Sequence, residues 1–172
     1  LTITNIFGSQ KADVIGYKNW ENGPEQKPTI ELQLYRNGEK FGDVVSLESG
    51  KTSHKWEDLD IVDGQRNPYT YTADEVSVPE NYIKTSKGDS LTVTNSYKAS
   101  KTEVTGTKVW VNGPEIKPAI GLQLYRNEAA YDSVILENGI TSHTWTDLDE
   151  TDLDGIPYTY TVNEVDVPTN YR

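Results

Sequence analysis

The sequence predicts an all-β chain made of tandem immunoglobulin-like β-sandwich domains, and three observations predict it. A long segment occurs twice: "GYKNWENGPEQKPTIELQLYRN" from Gly16 returns as "GTKVWVNGPEIKPAIGLQLYRN" from Gly106, and "PYTYTADEVSVPENY" from Pro68 as "PYTYTVNEVDVPTNY" from Pro157. The spacing is that of a small self-sufficient domain, too long for a solenoid unit that needs neighbours to bury its face. Short runs rich in Val, Ile, Thr and Tyr are separated by turn signals at "RNG" (Arg36), "ESG" (Glu48), "VDG" (Val62) and "SKGD" (Ser86), and no segment keeps a helical period over several turns. Several such strands per repeat make a sandwich.

The elements follow in chain order. "LTITN" at Leu1 matches "LTVTN" at Leu91, so residues 1–10 read as the last strand of a preceding repeat plus a linker. Residues 11–98 then form one complete domain, and residues 99–172 a second one without its final strand. In the first strand Val14, Gly16, Lys18 and Trp20 share a face, because residues two apart in a strand point the same way. "TIELQLY" alternates, with Ile30, Leu32 and Leu34 on one side and Thr29, Glu31 and Gln33 on the other. "SHKWEDLD" and "SHTWTDLD" give matching strands in the two repeats. "YTYTADEV" groups Tyr69, Tyr71, Ala73 and Glu75, and "LTVTNSY" groups Leu91, Val93, Asn95 and Tyr97.

Parity therefore turns an amine, a carboxyl and a carboxamide toward one core: Lys18, Glu75 and Asn95. The second repeat does the same with Lys108 and Glu164, and its asparagine would fall beyond Arg172. Buried charge is costly enough that such groups change protonation or find one another. Desolvation favours the neutral amine and the protonated carboxyl. A neutral amine is a nucleophile, a carboxyl can polarise an amide by hydrogen bonding its oxygen, and Asn95 offers the electrophilic carbon. Attack of Lys18 on Asn95 with Glu75 shuttling protons would expel ammonia and leave an isopeptide bond. Asn5 has the right sequence to serve Lys108 from another molecule, through head-to-tail association by residues 1–7.

"GTKVW", "PYTYTVNEVDVP" and "LTVTNSYK" resemble the B-type repeat domains of the collagen-adhesin family of Gram-positive surface proteins, whose fold is a reverse, immunoglobulin-like sandwich. The resemblance implies a lysine–asparagine isopeptide bond assisted by an acidic residue. Matched motif by motif, these are Lys18, Asn95 and Glu75 in the first repeat and Lys108 and Glu164 in the second. It further implies structural stalk repeats on the cell wall of a Gram-positive bacterium, with neighbouring repeats as partners and with signal and anchor outside this segment. Many relatives carry a longer Asp- and Asn-rich loop where this chain has "ENGPEQKP" and "VNGPEIKP".

Other classes are weaker. A net charge of -11 opposes binding to nucleic acid or anionic lipid, and no apolar run is long enough to cross a bilayer. With no cysteine there is neither a disulfide framework nor a thiolate metal site. "EDLDIVDG" and "TDLDETDLDG" lack the ligand spacing of a calcium loop and read as solvated turns. His54 and His143 read as strand residues, and Trp20, Trp56, Trp110 and Trp145 as core. No cofactor is expected, and no catalysis beyond a single self-directed turnover. The alternative is a ligand-binding sandwich that recognises a host protein or glycan.

Overall fold

The structure, a computed structural model, describes residues 1–5 and 8–171. Ile6 and Phe7, within the expected linker and association segment, and Arg172, at the end of the expected second domain, lie outside the described residues. The chain divides into two compact units, residues 1–98 and 99–172. All regular elements among the described residues are strands.

The first unit holds β1 (Lys11–Glu21), β2 (Ile30–Arg36), β3 (Glu39–Leu47), β4 (Ser53–Asp60), β5 (Tyr71–Glu75), β6 (Tyr82–Lys84) and β7 (Thr92–Tyr97). They form two sheets, β4-β1-β7-β6 and β3-β2-β5. β1 is central to the first sheet, antiparallel to β4 and parallel to β7, in a register running from Tyr17 opposite Thr92 to Glu21 opposite Ser96. The sheets face each other across Ile30, Leu32, Leu47 and Val93, with Trp20, Val45 and Trp56 packed around them. Leu32 and Leu34 are wholly buried, each contributing roughly 1.5–3 kcal/mol of transfer free energy.

The second unit repeats this with β8 (Lys101–Thr107), β9 (Ile120–Arg126), β10 (Ala129–Leu136), β11 (Ser142–Asp149) and β12 (Tyr160–Val165). Its sheets are β11-β8 and β10-β9-β12. Among the described residues it has no counterpart of β7. β8 stops at Thr107, where β1 runs on through Lys18 to Glu21: beyond Lys108, whose amide donates to the Thr141 carbonyl, the stretch has no neighbouring strand among the described residues. Residues 1–5 are exposed and enter no sheet.

Two local features explain themselves. Gln33, on the face of β2 opposite Ile30, Leu32 and Leu34, is buried, because its carboxamide donates to the Phe41 and Gly42 carbonyls where the β2–β3 register slips. A bulge leaves carbonyls unpaired, and the side chain satisfies them. Gly16 lets β1 approach Trp56: a Cβ there would sit 2.8 Å from the ring.

Candidate cross-linking site

β1 delivers Lys18 to the core with its backbone fixed on both sides. The Tyr17 amide donates to the Leu91 carbonyl (2.7 Å) and the Lys18 amide to the Thr52 carbonyl (2.8 Å). Lys18 lies opposite Val93 in the parallel pairing, two residues before Asn95 on the same face of β7. Glu75 comes from the other sheet, at the end of β5 opposite Leu32. Lys18, Glu75 and Asn95 retain only 4%, 7% and 0% exposure, so the three groups that parity turned inward are indeed inside.

Asn95 Nδ2 donates to Glu75 Oε2 at 2.8 Å. Glu75 Oε1 and Asn95 Oδ1 are buried without a hydrogen-bond partner. Burial pushes the Lys18 amine down from 10.5 to about 8, against the opposing pull of the Glu75 charge. Burial also raises the Glu75 carboxyl above its ordinary value, outweighing the Asn95 hydrogen bond and the attraction of Lys18 and Lys84. Both groups thus move toward their neutral forms, the states in which an amine attacks and a carboxyl donates a proton.

Aromatic rings close the site, a role beyond the core packing that the sequence alone predicts for the tryptophans. Lys18 Nζ lies 4.1 Å from the centroid of the Trp20 ring. Trp20 meets Tyr82 edge-on at 4.8 Å, and Tyr82 meets Tyr97 at 5.3 Å. The available signal was the recurrence of "KNW" with "ENY" and "KVW" with "TNY". Lys18 Nζ also donates to the Asn19 carbonyl at 3.2 Å.

In the second unit the Lys108 amide is anchored on the Thr141 carbonyl as Lys18 is on Thr52. Lys108 Nζ, 4.4 Å from the Trp110 centroid, forms a 2.8 Å ion pair with Glu164 Oε2. The two side chains keep 15% and 18% exposure. Lys108 and Glu164 therefore meet, and Asn5 is in neither group.

The remaining candidates are structural. Asp63 Oδ1 accepts from the Gln65 and Asn67 amides, and Asp152 Oδ1 from those of Asp154 and Ile156, so these acids hold their own turns. Among the described residues no three His, Cys, Asp or Glu side chains gather as a metal site. His54 and His143 pack edge-on against Trp56 and Trp145.

A two-sheet, all-β repeat with a buried amine and carboxamide on adjacent strands of one sheet and a buried carboxyl on the facing sheet defines a class of sandwich module built around an internal polar triad. The model of the Cna protein B-type domain matches residues 14–96 and again 104–172, and the chain belongs to that family. A collagen adhesin of Staphylococcus aureus is 29% identical over 182 residues, taking in 99% of this chain and 15% of the adhesin's length. A crystal structure of a single B repeat unit of the collagen binding surface protein of that species shares 29% identity, over 95% of this chain and 90% of that one, with a TM-score of 0.39. A structure of two B repeat units of the same protein shares 29% identity, over 95% and 45% of the two chains, with a TM-score of 0.40.

Proposed function

We propose that this chain is a pair of stalk repeats from a Gram-positive surface adhesin, in which the first repeat locks itself with an isopeptide bond between Lys18 and Asn95. The observation that carries this reading is the nearly complete burial of Lys18, Glu75 and Asn95 together, with both ionisable groups shifted toward neutrality. The neutral Lys18 amine attacks Asn95 Cγ. Turning the Asn95 carboxamide over brings its unpartnered Oδ1 onto Glu75, whose proton then polarises the carbonyl. The Nζ–Cγ bond forms, the Cγ–Nδ2 bond breaks, and Glu75 passes the amine's proton to the departing ammonia. The fold supplies what the reaction lacks in water, since a held geometry can remove about 7–11 kcal/mol of such a barrier.

The reaction runs once per molecule, so the chain is a structural protein and turns over no external substrate. Its place is the cell-wall surface, with neighbouring repeats as its partners. For Lys108 the electrophile is an asparagine on a strand of the "LTITN" pattern lying beside β8 as β7 lies beside β1. Asn5 of a second copy is such a residue and would join chains head to tail.

Intact mass tests the first bond. The denatured wild type should weigh one ammonia less than its sequence, and Lys18→Ala should restore the full mass; a wild type at full mass overturns the reading. Covalent ladders on a denaturing gel test the second bond: they should vanish in Asn5→Ala, and ladders that persist unchanged rule out Asn5.

A further inference from the structure

Four asparagines precede glycine: Asn22, Asn37, Asn112 and Asn138. All four are exposed, and the repeats place them in two kinds of setting. Asn37 and Asn138 have their carboxamides occupied. Asn37 Oδ1 accepts from the Thr70 amide at 2.9 Å, and Asn138 Oδ1 from the Lys117 amide at 2.7 Å. Among the described residues the Asn22 and Asn112 side chains make no such bond. Instead their main-chain carbonyls are bound by an ammonium: Lys27 Nζ donates to Asn22 O at 2.8 Å, and Lys117 Nζ to Asn112 O at 2.9 Å. A positive φ is not what defines the first setting, since Asn37 (52°) shares it with Asn22 (61°) and Asn112 (63°), whereas Asn138 does not have one.

The lysine acts on the peptide that matters. A cation on a carbonyl oxygen draws electron density from the adjoining nitrogen and makes its N–H more acidic. Here that nitrogen belongs to Gly23 or Gly113, the group able to reach the asparagine's own Cγ. Glycine offers no Cβ to hinder the closure. We infer that Asn22 and Asn112 are self-modification sites, converting to aspartate and isoaspartate through a cyclic imide with Lys27 and Lys117 as activating residues, while Asn37 and Asn138 are held back.

The glycine nitrogen bonds to Cγ and gives up its proton, the Cγ–Nδ2 bond breaks, and ammonia leaves. Water then opens the ring at either carbonyl, giving the normal or the β-linked acid. Each conversion adds one negative charge to the loop after Trp20 or Trp110, so both together would take the net charge from -11 to -13. The imide stage carries the same ammonia deficit as the proposed cross-link, but Lys18→Ala leaves it untouched.

Peptide mapping of the intact chain, sampled during incubation in mildly alkaline buffer, tests the inference. Asn22 and Asn112 should gain one mass unit, with isoaspartate present, several-fold faster than Asn37 and Asn138. In Lys27→Met the rate at Asn22 should fall while that at Asn112, in the same molecules, stays as in wild type. Asn37 or Asn138 keeping pace in the wild type, which needs no variant to fold, overturns the inference. An unchanged Asn22 rate in Lys27→Met overturns the role of the lysine.

Discussion

The two units carry the same amine and the same acid and put them to different uses. In the first, the Glu75 carboxyl is hydrogen-bonded by Asn95, and Lys18 stands under the Trp20 ring with its basicity lowered by burial. In the second, the Glu164 carboxyl takes Lys108 itself in an ion pair that water still reaches. What separates them is β7. It brings the carboxamide that occupies the acid, and it covers the amine so that charge becomes expensive. The difference teaches that a lysine and a glutamate facing a core are an ordinary salt bridge by default. With a third strand alongside, both groups are buried and shifted toward their neutral forms, as the proposed cross-linking requires.

The contrast can be broken most strongly at the amines. Lys18→Ala should destabilise the first unit by about 4–5 kcal/mol, the chain-entropy value of closing a loop between residues 18 and 95. Lys108→Ala should cost the second unit less, about 1–3 kcal/mol, between the value for an exposed ion pair and that for breaking a fully buried one. Separate calorimetric transitions would report both, and equal losses would erase the distinction.

The pH dependence of bond formation sharpens it. In freshly synthesised, acid-quenched samples the rate should fall roughly tenfold per pH unit below about 8, as Lys18 gains its proton. The folded amine has a lower pKa than the unfolded one at 10.5, so between those values the unfolded chain binds more protons. The unbonded precursor should therefore gain stability as pH rises from about 8 to 10.5, and the penalty should be complete below 8. A rate independent of pH around 8 would remove the depressed amine from the mechanism.

Smaller differences lie in the scaffold. A Cβ at Gly16 would press chiefly on Trp56, at 2.8 Å, whereas one at Gly106 would meet Val162 at 2.9 Å, Leu122 at 3.1 Å and Trp145 at 3.2 Å. Overpacking of this kind costs about 1–3 kcal/mol, and Gly106→Ala should lie above Gly16→Ala in that range by chemical denaturation. At the hairpin between the second and third strands of each unit, Gly38 (φ 85°) has Glu128 (φ 66°) as its counterpart. Glu128→Gly should relieve a left-handed residue and raise the stability of the second unit by about 1 kcal/mol.

Much of this was legible in the sequence because strand parity is a hard constraint. Lys18, Glu75 and Asn95 could be turned inward from their alternation with Gly16, Ala73 and Val93, and the repeat supplied Lys108 and Glu164 independently. Parity set Gln33 on the face opposite Ile30, Leu32 and Leu34 but did not give its burial, which comes with a slip in register. A bulge is a tertiary accommodation that alternation along one strand does not encode. The tryptophan over each amine was hidden for a related reason: Trp20 shares a face with Lys18, but same-face neighbours reveal contact only when their rotamers are known. Nor did the sequence show that the segment after Thr107 depends on a strand beside it, since "GTKVW" has the same pattern as "GYKNW".

The parallel pairing of β1 with β7 has a mechanical meaning of its own. If a chain of such units is pulled by its ends, β1 is drawn toward its start and β7 toward its finish, although the two strands run the same way side by side. The load then lies along the strands, in shear, and the hydrogen bonds from Tyr17 opposite Thr92 to Glu21 opposite Ser96 bear it together rather than opening one after another. With or without a covalent bond, the first unit is arranged to resist being drawn out from its termini.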